Sequence, residues 1–154
     1  MFREARRGDF PGVIRLYRQL LPQDPVLTDG SDEAVFNQIL DTAGLHLFVL
    51  EKDGAIVAST YLTIVPNMTR SASPYAIIEN VIVDEMWRGT GLGKQIMAAT
   101  IQAAWDAGCY KVTLTTGSRN PNTHAFYRSC GFSAETKTAY HVTSRPMRVA
   151  ANGG

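Results

Sequence analysis

The stretch VIVDEMWRGTGLGKQIMAATIQAAWDAG, residues 81 to 108, constrains the fold more than any other part of the chain. An apolar run passes through a turn holding Gly89, Gly91 and Gly93 into an amphipathic run that Gly108 stops. A strand entering a helix through glycines leaves several backbone N–H groups unpaired and aimed at one point. With the helix dipole they form an anion site, for which phosphate is the natural guest. A dinucleotide fingerprint fails here, because glycine is missing at Lys94 or Ile96, depending on where it starts. A P-loop fails at Arg88 and Gln95.

The rest of the chain supplies a mixed sheet. FREA reads as a first strand, and Asp9 can cap a helix with Pro11 in its first turn and Val13, Leu16, Tyr17, Leu20 and Leu21 on one face, ending near Pro22. Ser31 can cap a second helix, with Val35, Ile39 and Leu40 at helical spacing. Two β-rich runs meet at Asp53-Gly54, a strong hairpin signal. PYAIIENVIVDE is a further strand that places Ile77, Glu79, Val81 and Val83 on one face. In the helix after the glycine turn, Leu92, Ile96, Ala99 and Ala103 recur at three- and four-residue steps. YKVTLTT is a fifth strand, NTHAFYRSCG a short helix and FSAETKTAYHVTSRPM a final strand pair. Helices between strands imply a mixed α/β fold, with some strands pairing in parallel.

At 154 residues the chain is long enough for one core and short for two ordinary domains, so a single domain over residues 1–148 with a loose tail over 149–154 is expected. Hydrophobic residues at 45% and a net charge of +1 exclude a disordered chain or a strongly basic nucleic-acid binder. No apolar run reaches the roughly 18 residues of a membrane helix. The charged start MFREARRGDF lacks a secretory apolar region, which points to a cytoplasmic protein with reduced thiols. Cys109 and Cys130 form neither a metal motif nor a disulfide framework, and no metal is expected.

The loop Arg88-Gly89-Thr90-Gly91-Leu92-Gly93 resembles the R/Q-x-x-G-x-G/A pyrophosphate loop of the GNAT (GCN5-related N-acetyltransferase) superfamily, with Arg88, Gly91 and Gly93 in its defining places. NPNTHAFYRSCGF resembles the second GNAT signature through Asn120, Tyr127, Gly131 and Phe132. GCYKVTLTT and FYRSCGF are similar to glucosamine-6-phosphate N-acetyltransferases, and LTTGSRNPNTHAFY to aminoalkylphosphonate N-acetyltransferases. The resemblance implies a central mixed sheet of six to seven strands flanked by about four helices, acetyl-coenzyme A as co-substrate, and often a homodimer. It also implies a small primary amine as acceptor, with phosphorylated and phosphonylated metabolites among the candidates.

The resemblance assigns the pyrophosphate to the backbone of Gly89, Thr90, Gly91, Leu92 and Gly93, aided by Arg88 and Lys94, and the pantetheine to the strand backbone of Val81, Ile82 and Val83. Asn120 orients the cofactor or caps its helix. Tyr127 matches the family's general acid, a phenol whose ordinary pKa of about 10 suits protonation of a thiolate. Glu79 occupies a position where several GNAT enzymes carry an acidic residue that takes the ammonium proton. Tyr127 can instead be a half-buried tyrosine packing on the sheet and Glu79 an exposed strand carboxylate, and His124 and His141 are either bases, phosphate ligands or hydrogen-bonded structural residues. Asn80 departs from the aspartate of the glucosamine-6-phosphate group, and Arg145 and Arg148 read as solvated. Two further readings stay open: acetylation of protein N-termini or lysines, and an acyl-coenzyme A sensor without turnover.

Overall fold

A computed structural model describes residues 1–144 in two compact units, Met1–Leu114 and the part of the second that runs from Thr115 to residue 144. In the first, five strands stand in sequential order: β1 (Phe2–Glu4), β2 (Leu45–Lys52), β3 (Ala55–Val65), β4 (Tyr75–Val83) and β5 (Val112–Thr113). The first four are antiparallel to their neighbours, and β5 joins β4 in parallel. The β2–β3 turn follows its sequence, since Asp53 and Gly54 both take positive φ, 51° and 78°, as a tight hairpin turn requires.

Helices α1 (Phe10–Leu20) and α2 (Ser31–Asp41) cover one face. Val13, Leu16 and Phe36 pack there on Leu47, Val49, Ile56 and Ile82. A single turn, α3 (Thr69–Ala72), joins β3 to β4, and α4 (Leu92–Asp106) covers the opposite face, where Ile96 packs on Leu50, Val57 and Ala58. Under α4 the buried hydroxyls of Thr60 and Thr100 lie 2.7 Å apart, and Thr100 Oγ1 donates to the Ile96 carbonyl at 2.7 Å. Thr60 therefore donates to Thr100, and both hydroxyls are satisfied.

Several local expectations are corrected. Asp9 precedes α1 without capping it, because its carboxylate is taken by the Arg3 guanidinium at 2.7 and 3.0 Å and by the Arg6 N–H at 2.7 Å. Gly30, at φ 79°, is the cap position of α2, and Asp29 Oδ1 accepts from the Ser31 N–H and Oγ–H at 3.0 and 2.6 Å. The core residue of α2 is Phe36, stacked edge-on against Phe10, while Val35 is exposed. In α4 the buried stripe runs through Ile96, Met97, Thr100 and Ala104, one step round from Ala99 and Ala103. Among the described residues the sheet has five strands, against the six or seven expected. Residues 133–144 contain no strand and are exposed throughout, so they have no buried face to hold them in a sheet; residues 145–147 of the expected final pair lie outside the described residues, as do the 149–154 tail, Arg145 and Arg148.

Candidate functional site

β4 is irregular where it matters. Tyr61 pairs with Glu79 but Ser59 pairs with Ile82, so β4 carries one extra residue between them. Asn80, at φ 52°, is the left-handed residue of that bulge, a conformation that asparagine tolerates better than most side chains. The bulge breaks the expected common face. Ile82 faces α1 and α2, whereas Val83 packs on the α4 side, and Glu79 is exposed beside its partner Tyr61.

On its other edge β4 is bound only briefly. β5 pairs with Ala76 and Ile77, and the later residues Ile78 to Val83 have no strand partner on that side among the described residues. A free strand edge of this length can receive an extended, hydrogen-bonding chain. Part of it is already used: Arg88 Nε donates to the Val83 carbonyl at 3.2 Å.

The turn that follows is built tightly. Asp84, buried at 5% exposure, accepts the Met86 N–H at 3.1 Å and caps the short helical turn Glu85–Trp87. Arg15 reaches it from α1 with an Nη1–Oδ2 distance of 2.5 Å, and donates through Nη2 to the Ile56 carbonyl at 2.8 Å. Burial alone would raise the Asp84 carboxyl, but Arg15, the Met86 N–H and Gln19 outweigh it and hold the group below the usual carboxylate range. The Thr90 hydroxyl donates to the Trp87 carbonyl, closing the loop on itself.

Gly89 and Gly91 both take positive φ, 76° and 87°, and Gly91 is the residue from which α4 springs. No side chain caps α4. A Cβ built on Gly91 meets nothing within 4 Å, so what demands glycine there is backbone conformation rather than a crowding neighbour. Arg88, Gly89, Thr90, Gly91 and Lys94 are exposed, and Leu92 and Gly93 half-buried, so the first-turn N–H groups of α4 open to solvent beside two cations. This arrangement can hold a phosphate or pyrophosphate.

A cleft of about 260 Å³ lies on the α1 face, walled by Ile14, Tyr17 and Leu20, by the connection carrying Leu21, Val26 and Leu27, and by Asn80. Tyr17 stays a neutral phenol: burial pushes its hydroxyl up to about 12, against the opposing pull of the Ser59 and Asn80 side chains. The α1–β4 part of this wall was not singled out in the sequence beyond Asn80. Its signal, a tyrosine one turn before the apolar end of α1, reads as ordinary core.

In the second unit, α5 (Pro121–Ser129) starts from Asn120, whose Oδ1 accepts the Asn122 N–H at 2.9 Å. Asn120 is thus an N-cap. Tyr127 is half-buried on α5, edge-on to Phe132 with ring centres 6.3 Å apart and tilted against Phe126 at 5.3 Å. Gly131 ends the helix at φ 98°, and the Phe132 N–H returns to the Tyr127 carbonyl at 3.2 Å. His124 Nε2 donates to the Ser118 carbonyl at 2.7 Å, which fixes its tautomer and gives it a structural occupation. His141 is exposed, Cys130 is half-buried, and burial pushes the Cys109 thiol up, away from nucleophilic use. Among the described residues no group of three His, Cys, Asp or Glu could hold a metal ion, and no helix is long and apolar enough to cross a membrane.

The acetyltransferase (GNAT) family pattern matches residues 10–132, and the chain belongs to that family. It is 35% identical over 137 residues to a glucosamine 6-phosphate N-acetyltransferase of Trypanosoma brucei brucei, covering 88% of this chain and 90% of that protein. It is 27% identical over 141 residues to an aminoglycoside N(6')-acetyltransferase of Stenotrophomonas maltophilia, covering 90% of this chain and 89% of that one. Among solved structures, a putative acetyltransferase from Agrobacterium tumefaciens superimposes with a TM-score of 0.89 at 46% identity, covering 94% of this chain and 99% of that one. The protein is a GNAT-family N-acetyltransferase.

Proposed function

We propose that the protein transfers an acetyl group directly from acetyl-coenzyme A to a primary amine of a small metabolite, as one domain over residues 1–148 working as a cytoplasmic homodimer. The observation that carries the cofactor reading is the α4 N-terminus, which rises from left-handed Gly91 without a side-chain cap and beside Arg88 and Lys94. The pyrophosphate is held by the N–H groups of residues 89–93, and the pantetheine lies along the free edge of β4 at Val81 to Val83.

Acetyl transfer needs a neutral amine, a polarised thioester carbonyl and a proton for the departing thiolate. Tyr127 gives that proton, in keeping with its place in the second signature. Glu79, exposed on β4 next to the bulge, takes the ammonium proton through water. The likeness to glucosamine 6-phosphate N-acetyltransferases supports a phosphorylated or phosphonylated acceptor. The likeness to an aminoglycoside enzyme supports an acceptor without phosphate. Mass spectrometry of an amine panel incubated with protein and acetyl-coenzyme A tests the reading: a mass gain of one acetyl group on a small amine is expected. Acetylation of peptides alone, or of nothing, would overturn it.

A further inference from the structure

The cleft beside α1 carries its own statement about the acceptor, resting on the proposed acetyl transfer and on Asn80, which lines the cleft and directly follows the proposed base Glu79 in β4. At about 260 Å³ it lies just below the roughly 300–1,000 Å³ typical of sites for larger ligands. Its inner wall is apolar, made by Ile14, Tyr17 and Leu20. At its mouth stand Leu21, Val26 and Leu27, exposed at 50%, 62% and 48%. Three large aliphatic side chains left half-open around one concavity are unusual unless something covers them.

The charges are equally informative. The lining carries one cation, Arg18, and two carboxylates, Asp24 and Asp32, and the two other polar groups, Tyr17 and Asn80, are neutral. A phosphate monoester brings nearly two negative charges at neutral pH and would meet a wall whose own formal balance is negative. A primary ammonium meets attraction from either aspartate on its way in.

We propose that the acceptor is a primary amine on a compact, largely apolar body, of the arylalkylamine or alkylamine class, without phosphate or phosphonate. The body covers Leu21, Val26 and Leu27, and the aspartates draw the ammonium to the cleft. Asn80, held at the β4 bulge, stands at the sheet end of the cleft without adding a charge.

The test uses full-length protein, acetyl-coenzyme A and three amines: 2-phenylethylamine, glucosamine and glucosamine 6-phosphate, with release of the free thiol as readout. The expected kcat/KM for 2-phenylethylamine exceeds those for both sugars by about tenfold or more. The double variant Val26→Ser/Leu27→Ser alters only exposed side chains, so its fold is not at risk. It should lower the preference for 2-phenylethylamine over glucosamine by about fivefold, through KM, with acetyl-coenzyme A affinity unchanged. Preference for glucosamine 6-phosphate, or an unaltered preference in the double variant, overturns the inference while leaving acetyl transfer standing. Failure to bind acetyl-coenzyme A would instead overturn the transfer reading, and this inference with it.

Discussion

Arg15 and Asp84, 69 residues apart in the chain, meet at 2.5 Å and fasten α1 to the residue where β4 passes into the glycine turn. Asp84 is nearly buried while the Arg15 side chain is 46% exposed, so the pair is partly screened. Asp84→Asn removes the charge but keeps the shape, and should cost about 1–2 kcal/mol, a lowering of the melting temperature by several degrees. The pH dependence has a definite sign. The folded-state pKa of Asp84 is lowered, so its contribution is present in full above the ordinary carboxylate pKa of about 4 and lost as pH falls through the folded value. Melting curves of wild type and variant should therefore be separated at pH 7 and converge below pH 4; a constant separation would contradict this assignment.

The Thr60–Thr100 pair makes a second stability prediction. Thr100→Val keeps the volume of the side chain but leaves the buried Thr60 hydroxyl without its acceptor, at a cost of about 1–3 kcal/mol. Converting both threonines to valine should recover part of that loss, because no orphaned donor remains. Urea denaturation of both single variants and the double variant checks this, and strict additivity would show that the bond contributes nothing.

Gly91 separates conformation from contact. Gly91→Ala should destabilise the fold by about 1–2 kcal/mol, because its φ of 87° disfavours any Cβ even though the surrounding space is open. Thermal denaturation reads the effect directly. An unchanged midpoint would mean that the loop relaxes freely to another conformation.

Much of this architecture was legible in the sequence because local chemistry decided it. The Asp53-Gly54 hairpin needs two residues that accept positive φ, and the two residues there supply them. The strand–glycine–helix unit over residues 81 to 108 was legible for the same reason, and the cap was one of the two roles that the sequence offered for Asn120. What escaped was decided by distant partners. Helical spacing in α2 fits Val35 as well as Phe36, and only the sheet residues and Phe10 against which α2 packs select the latter. The bulge at Asn80 depends on how β3 lies alongside, and the Arg15–Asp84 bond joins segments that no local pattern relates. A final strand pair was expected over residues 132–147, but the exposed segment 133–144 buries nothing that would hold it in a sheet.

Tyr127 carries the prediction about chemistry. Tyr127→Phe removes only the hydroxyl and keeps the ring that packs on Phe132 and Phe126. Loss of a general acid should lower kcat by about 100-fold or more, with the affinity for acetyl-coenzyme A intact. The loss should shrink with an acyl donor whose leaving thiol is more acidic. Turnover within about threefold of wild type, with chemistry shown to limit the rate, would make Tyr127 a packing residue and return the acid role to water.

Calorimetric titration of acetyl-coenzyme A into the wild-type protein and into Gly91→Asp tests the central claim most directly. The account predicts saturable binding to wild type and a loss of about 100-fold or more in affinity for the variant, whose carboxylate would stand against the pyrophosphate at the start of α4. The variant's circular dichroism should remain that of a folded protein. Equal affinity in a folded variant, or no binding to wild type, would contradict the claim that this turn is the cofactor's phosphate site.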